Sequence, residues 1–425
     1  MLHQAYSFSL AFEASLVSSL LDRFADSKSK ILDPFCGTGT TLLESKIHGL
    51  TSFGIDANPV CVMVSKAKTD WSLDISRVKV RAELALSSAS QEYDLFLERH
   101  QKQQRRGRRY QLLQDPIFER SPAGRYLVSS GLIKRGWISP RPALKTLLLA
   151  EALWLQPESI RNFLFLSLFG LLVPDISNMS YGPEIYKARK RKDRDVFSLF
   201  RHRASENLTK LDLLRSDHEV ATATITHGNS ISDGLQNVDP KSVDLVVSSP
   251  PYLSDHDYSR LTRLELVFSG YVSSKEQLRG VKQQLLRSSS KNVYREDDLA
   301  TFVKRFDEIQ NIVKLLAQRA DEHPTSGFAR VYPRLVGEYF GGMYIHFKKL
   351  SRVLRTGAIV AYIVGDQSSF FAIPIPTARI TAQMAETCGG GLRVISMEPV
   401  KKYRGTRGRV KWANQEWLLV MKKDA

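Results

Sequence analysis

The chain has 425 residues, of which 43% are hydrophobic and 25% charged, a balance that excludes a disordered protein and allows two domains or one domain with a large insertion. Its formal net charge of +17 favours a polyanionic partner, nucleic acid first among them. The three cysteines, Cys36, Cys61 and Cys388, lack metal-like spacing, which argues against a disulfide framework or a zinc or other metal site. The opening "MLHQAYSFSL" has no basic start or long apolar run of a secretion signal, so a reduced, cytoplasmic protein is expected.

Apolar positions at helical spacing (Phe12, Leu16, Leu20, Leu21, Phe24) predict a helix within residues 11–27. "ILDPFCGTGTTLLESKIHGL" then reads as a short strand, a glycine-bearing turn and a helix, and "TSFGIDANPVCVMVSKAK" repeats that order with a strand ending at Asp56. Strand–turn–helix units in succession predict a parallel sheet with crossover helices. From about Trp71 to about Glu219 the pattern turns helical and strongly basic, with "RHQKQQRRGRRY" and "YKARKRKDRDVFSLFRHR". The longest apolar run, "FLFLSLFGLLVPDI" from Phe163, reads as short for a bilayer span and as a buried helix.

Strand signals return in "VATATITHGNS" and "VDLVVSSPPY". A second charged stretch, roughly 254–335, reads as irregular; a helix from about Tyr339 leads into "GAIVAYIVGD", and the chain closes with a strand, a basic loop "KKYRGTRGR" and a last strand. The expected architecture is one discontinuous α/β domain, residues 1–72 and 220–425, with a basic, largely helical insertion at 73–219 and a smaller one at 254–335.

In "DPFCGTGTT" (33–41) the strand ends at Asp33, and Gly37 and Gly39 let the backbone turn tightly beneath a ligand, with free N–H groups at the start of the next helix. No Gly-Lys-Ser/Thr follows, so it is not a Walker phosphate loop, and the third glycine of a dinucleotide fingerprint is missing. Asp56, closing the second strand roughly 20 residues later, stands where a carboxylate accepts bonds from ribose hydroxyls. The pair of features indicates a nucleoside-bearing cofactor.

"ILDPFCGTGTTLLES…GIDANP" is similar to the cofactor-binding motif of S-adenosylmethionine-dependent amino-methyltransferases, and "SPPY" (249–252) resembles their catalytic motif in the version associated with N4-cytosine DNA methyltransferases. The resemblance covers the α/β portion of the chain and implies a Rossmann-like S-adenosylmethionine methyltransferase sheet, mostly parallel with an antiparallel last strand. It implies that Asp33 and the Phe35, Cys36, Gly37, Gly39 and Thr40 turn hold the methionine part of S-adenosyl-L-methionine, and that Asp56 and Ala57 hold the ribose. "YSFSL" resembles the segment that closes over the methionine end, through Phe8 or Ser9. In "ITHGNS", Asn229 stands where the family has the aspartate that bonds the adenine amine, with Ser230 beside it; an asparagine replaces that carboxylate only in part, since its NH₂ donates.

The resemblance also assigns Ser249, Pro250, Pro251 and Tyr252 to catalysis. An exocyclic base amine is a poor nucleophile because its lone pair is delocalised. Acceptors aimed at its N–H groups, the Ser249 hydroxyl and the Pro250 carbonyl, favour a pyramidal nitrogen, and the prolines fix those acceptors. The base must leave the duplex, and Tyr252 is placed to stack on it. Target recognition is expected from basic clusters: Arg105, Arg106, Arg108 and Arg109; Lys187, Arg189, Lys190, Arg191 and Lys192; and, beyond the tip, Arg260 and Arg263.

The leading expectation is a double-stranded DNA (cytosine-N4) methyltransferase, associated with the nucleoid and belonging to a restriction–modification system with a cognate endonuclease acting on the same site. Adenine N6 is the runner-up. Further alternatives are an RNA base amino-methyltransferase, since some tRNA guanine-N2 enzymes share "DPFCGTGT", and a non-catalytic nucleic-acid-binding subunit.

Overall fold

The computed structural model describes residues 2–6, 12–106, 111–182, 184–217, 221–323, 327–368, 370–403 and 414–425. Its strands are β1 (Ile31–Asp33), β2 (Ser52–Asp56), β3 (Met179–Ser180), β4 (Tyr186–Lys187), β5 (Ala223–His227), β6 (Val243–Ser248), β7 (Leu354–Gly365), β8 (Leu392–Tyr403) and β9 (Asn414–Lys423). The chain divides into two compact units. One comprises Phe12–Asn58, Ala221–Tyr258 and Lys282–Ala425; the other comprises Met1–Ala11, Pro59–Val220 and Ser259–Val281. The helix Pro59–Thr69, which follows β2, thus belongs to the second unit, as do residues 259–281.

The first unit is built on a seven-stranded sheet of order β5-β2-β1-β6-β7-β9-β8. The pairs β5–β2, β2–β1, β1–β6 and β6–β7 are parallel, while β9 runs antiparallel to both β7 and β8. This is a Rossmann-like sheet, mostly parallel with an antiparallel last strand. The near-continuous apolar runs of the central strands follow from burial on both faces. Alternate residues enter separate cores. Ile31, Leu245, Val247, Ala361, Ile363, Leu418 and Val420 pack under the helix Ala14–Phe24 through Val17, Leu20 and Leu21. Leu32, Val246, Val360, Tyr362, Val364, Leu419 and Met421 face a larger core with Tyr339, Phe340, Met343 and Phe347 of the helix Tyr332–Val353. The stretch 254–335, which reads as irregular in the sequence, contains the helices Arg263–Phe268, Lys275–Gln284 and Asp307–Glu322. In the helix Asp307–Glu322 the charged residues lie mostly on the exposed face, opposite Ile309, Ile312, Leu316 and Ala320.

The second unit is helical apart from the antiparallel pair β3–β4. Its axis is the helix Glu158–Leu171, in which residues 162–171 are all buried. Together with the turn that follows, the span Glu158–Ile176 is long and apolar enough to cross a membrane by length and composition, and 78% of it is buried in the protein. Length therefore does not set it apart as the sequence reading has it; its burial is that of a core helix. In the same unit, Glu265 is completely buried. Its Oε1 accepts a bond from the Tyr6 hydroxyl at 3.2 Å, while Oε2 has no partner. Desolvation pushes the Glu265 carboxyl up to about 8, partly offset by bonds from its own backbone N–H and from Tyr6.

An acid whose pKa is raised by folding holds its proton in the native state where the unfolded chain has lost it, so its contribution to stability falls as pH rises from the unfolded value near 4.3 through about 8. Glu265→Gln, which carries no such proton, is expected to lose less stability than the unaltered protein between pH 5 and pH 8. Urea denaturation midpoints across that range, compared between the two, measure the difference; parallel curves contradict it.

Candidate active site

The chain leaves β1 outward through β2 and β5, then returns to β1's other side as β6 and continues to β7. That reversal is a topological switch point, and a ligand-binding crevice opens outside the carboxyl ends of the two strands that flank it. Here those ends are Asp33 on β1 and Ser248 on β6. The Ser248 hydroxyl donates to Asp33 Oδ1 at 2.6 Å, and the Phe35 N–H donates to the same oxygen at 3.1 Å. Asp33 is fully buried, yet its Oδ2 has no hydrogen-bond partner. Burial raises its carboxyl to about 6, against the lowering effect of the Ser248 and Phe35 bonds. A desolvated carboxylate oxygen with nothing to accept from fits a site for a donor group of a ligand.

The Pro34–Gly39 turn is tied from both sides. The Cys36 N–H donates to the Ile55 carbonyl at 2.9 Å, and the Gly37 N–H donates to Asp56 Oδ2 at 2.8 Å. Gly37 and Gly39 have φ of +50° and +80°, the left-handed region that a side chain disfavours. Gly39 then stands at the N-cap of the helix Thr40–Ile47, where no side chain caps the first N–H groups. Cys36 and Thr40 are buried, and Thr41 Oγ1 donates to the Val247 carbonyl at 3.1 Å. The remaining Asp56 oxygen, Oδ1, accepts from Asn58 N–H at 2.7 Å, and burial lifts the Asp56 carboxyl to about 6. Asp56 therefore holds the glycine turn as well as closing β2. Each of its oxygens retains a second lone pair able to accept a further bond. Ala57 is half-buried, and its carbonyl lies 3.1 Å from His227 Nε2.

Asn229 and Ser230 follow β5, both buried. The Asn229 carboxamide is already engaged: Oδ1 accepts from Ile231 N–H at 3.0 Å and Nδ2 donates to the Gln284 carbonyl at 2.6 Å. The Ser230 hydroxyl is buried with no partner, so it, rather than Asn229, presents an unsatisfied polar atom at this position. Phe8 and Ser9 lie outside the described residues.

The strand β6 ends at Ser248, so Ser249 is the first residue of the tip. The Ser249 hydroxyl donates to the Ile363 carbonyl of β7 at 3.3 Å. With its hydrogen committed there, its lone pairs remain as acceptors. Pro250 is buried, and Pro251 and Tyr252 are half-buried. Tyr252 is held at three points. Its N–H donates to the Tyr258 hydroxyl at 3.1 Å, and its own hydroxyl donates to Glu416 of β9 at 3.0 Å. Its ring lies against Gly365, where an added Cβ would stand 2.9 Å from Cε2. None of Ile363, Gly365, Glu416 and Ser248 is marked by a local motif, except that Ser248 is visible as the first serine of "SSPPY".

The basic candidates sit in the helical unit. Arg105 and Arg106 are exposed at the end of the helix Ile75–Arg105, while Arg108 and Arg109, like residues 404–409 of the basic loop, lie outside the described residues. In the second cluster Lys187, Arg189, Lys190 and Lys192 are exposed. Arg191 differs: its guanidinium bonds the carbonyls of Ser177 and Pro174, and its N–H donates to Asn178 Oδ1 at 2.6 Å. Those contacts close the carbonyl end of the buried helical span, so the Arg191 guanidinium is engaged within its own unit, unlike its exposed neighbours. Arg260 pairs with Glu184 at 3.4 Å and lies over the Trp137 ring, and Arg263 bonds Ser259.

This geometry belongs to a Rossmann-like methyltransferase fold with its crevice at the switch point. The chain is homologous to type II methyltransferases. It is 23% identical to the type II methyltransferase M.BsoBI of Geobacillus stearothermophilus, an alignment covering 95% of this chain and 80% of that protein. It is 24% identical to M.AvaI of Nostoc sp. over 39% of this chain and 36% of the relative. Over a 40-residue stretch, 9% of each chain, it is 55% identical to M.MvaI of Kocuria varians. No family model matches. Among solved structures, the rRNA methyltransferase aviRa of Streptomyces viridochromogenes aligns at a TM-score of 0.29 and 11% identity, covering 98% of this chain and 89% of that one.

Ser248→Ala removes the 2.6 Å bond across the switch point and leaves both Asp33 oxygens short of donors. It is expected to destabilise the protein by about 1–3 kcal/mol near neutral pH, read as a lower denaturation midpoint in urea. No change in midpoint would contradict the role assigned to that bond.

Proposed function

We propose that this protein is an S-adenosylmethionine-dependent DNA methyltransferase that modifies the exocyclic N4 amine of a cytosine flipped out of duplex DNA, within a restriction–modification or related system. The observation that carries the reading is the Ser249–Tyr252 tip at the end of β6, one residue beyond the bond from Ser248 to Asp33. The likeness to type II methyltransferases supports it, as does the net charge of +17. Adenine N6 remains the second reading, since both amines present the same donors; the serine in "SPPY" favours cytosine. A cognate endonuclease acting on the same site is the partner this reading implies, and the nucleoid is the place.

The residues present fit the cofactor. Asp33, with its unpartnered Oδ2, the turn Phe35–Gly39, Asp56 and the Ser230 hydroxyl would hold it. Bound there, S-adenosylmethionine supplies an electrophilic methyl group on a sulfonium centre. Ser249 Oγ, its hydrogen directed to Ile363, accepts one N–H of the base amine, and the Pro250 carbonyl accepts the other. Withdrawing both hydrogens from the ring plane localises the nitrogen lone pair. Tyr252, anchored through Glu416, stacks on the base. Catalysis is then mainly positioning of a nucleophile. The exposed Lys187, Arg189, Lys190 and Lys192 grip phosphate.

Expression in a host lacking the modification, followed by mass spectrometry of its DNA nucleosides, tests the reaction. N4-methylcytosine is the expected product; N6-methyladenine would move the assignment to adenine. Ser249→Ala is expected to lower turnover by about 10²–10³-fold with cofactor binding retained by calorimetry, and unchanged turnover would remove Ser249 from the mechanism. Replacing Arg189, Lys190 and Lys192 together by alanine is expected to weaken binding to all duplexes alike. The slope of log affinity against log salt should fall by about 0.9 per lost contact, and an unchanged slope would place the phosphate contacts elsewhere.

A further inference from the structure

Three residues beyond Tyr252, Asp255 has φ of +62°, a left-handed conformation that residues other than glycine take only under constraint, Asn and Asp most readily. The constraint is a dense set of bonds to one short segment. Asp255 Oδ1 accepts from Ser290 N–H at 2.7 Å, Ser290 Oγ at 2.8 Å and Ser289 Oγ at 3.1 Å. Its N–H donates to the Ser288 carbonyl at 3.1 Å, and its own carbonyl accepts from Ser289 Oγ at 3.2 Å. All three serines are buried.

The segment is itself rigid. Ser289 and Asn292 cap each other reciprocally at the turn Ser290–Asn292, and Asn292 Nδ2 donates to the Leu286 carbonyl at 3.1 Å. Arg287 pairs with both oxygens of Asp297 at 2.9 Å. Just before it, Lys282 Nζ meets Asp257 Oδ2 at 2.8 Å and the Gln284 carbonyl receives Asn229 Nδ2. The turn after Tyr252 is thus held at Asp255 and Asp257, and Ser254 N–H closes it by donating to the Tyr252 carbonyl at 2.8 Å.

We infer that Asp255 is a positioning residue of the nucleobase clamp: docked on Ser288–Ser290, it fixes the left-handed turn that sets where Pro250, Pro251 and Tyr252 stand when a base is flipped against them. The inference rests on the function proposed above. Nothing in the sequence pattern links "SDHD" to "RSSSKN" some 35 residues later. The contact is made wholly by folding, and three of its five bonds converge on one carboxylate oxygen. A surface turn with no positional task has no call for such convergence.

The test compares Asp255→Ala, Asp255→Asn and Asp255→Gly in the full chain. Asparagine keeps an acceptor at Oδ1 and tolerates positive φ, whereas glycine relieves the backbone but loses the acceptor. Asp255→Ala and Asp255→Gly are expected to lower kcat by about 10- to 100-fold, with the cofactor Kd within about twofold; Asp255→Asn is expected to retain most of the turnover. In parallel, hydrogen exchange of the amides of residues 249–258 should quicken in the Ala and Gly variants and stay near the unaltered rate in Asn. Full turnover in Asp255→Gly would show that only backbone freedom matters, and unchanged exchange in Asp255→Ala would show that the docking holds nothing; either overturns the inference. If the unaltered protein methylates no DNA, the proposed function fails, while the exchange measurement still decides whether Asp255 holds the turn.

Discussion

The bond from Ser248 to Asp33 joins the carboxyl ends of β6 and β1 at the point where the sheet reverses its strand order. Much of the site depends on it. In a parallel sheet the strand ends converge their free carbonyls and side chains on one edge, and a buried carboxylate there is costly unless donors satisfy it. Asp33 has two donors on one oxygen and none on the other. The imbalance is what a ligand-binding carboxylate requires: enough bonds to keep it placed, with one oxygen left over.

The same logic runs through the turn that follows. Asp56 does not wait idle for a ligand; it grips Gly37 and Asn58 and so sets the shape of the glycine turn from the neighbouring strand. Burial lifts both carboxyls to about 6, close enough to neutrality that a bound donor or cation would favour the ionised forms. At the tip, donors are spent inward: Ser249 toward Ile363, Tyr252 toward Glu416. What remains is acceptor capacity on Ser249 and the half-buried Tyr252 ring, the groups on which the proposed function draws.

The basic surface divides on similar grounds. Five positive side chains between residues 187 and 192 look equivalent as a charge run, but a guanidinium placed within reach of orphan carbonyls at a helix end is used up there. Arg191 is used in that way, and Lys187, Arg189, Lys190 and Lys192 are left exposed. Composition alone does not separate the two roles, because both are met by the same residue type.

The sequence by itself determined the strand–turn–helix order that makes a parallel sheet, the glycine turn between Asp33 and the next helix, and the proline-rich stop after β6. Each is a local rule of element order, turn chemistry or motif, readable within a short stretch of chain. Only the tertiary structure decided that Ser248 bonds Asp33, that Asn229 is occupied by Gln284 while Ser230 is not, and that Gly365 and Glu416 brace Tyr252. It also decided that the 254–335 stretch carries helices and the serines that hold Asp255. These are pairings across tens to hundreds of residues, set by how strands order and helices pack. No spacing along the chain encodes which carbonyl a given hydroxyl will reach.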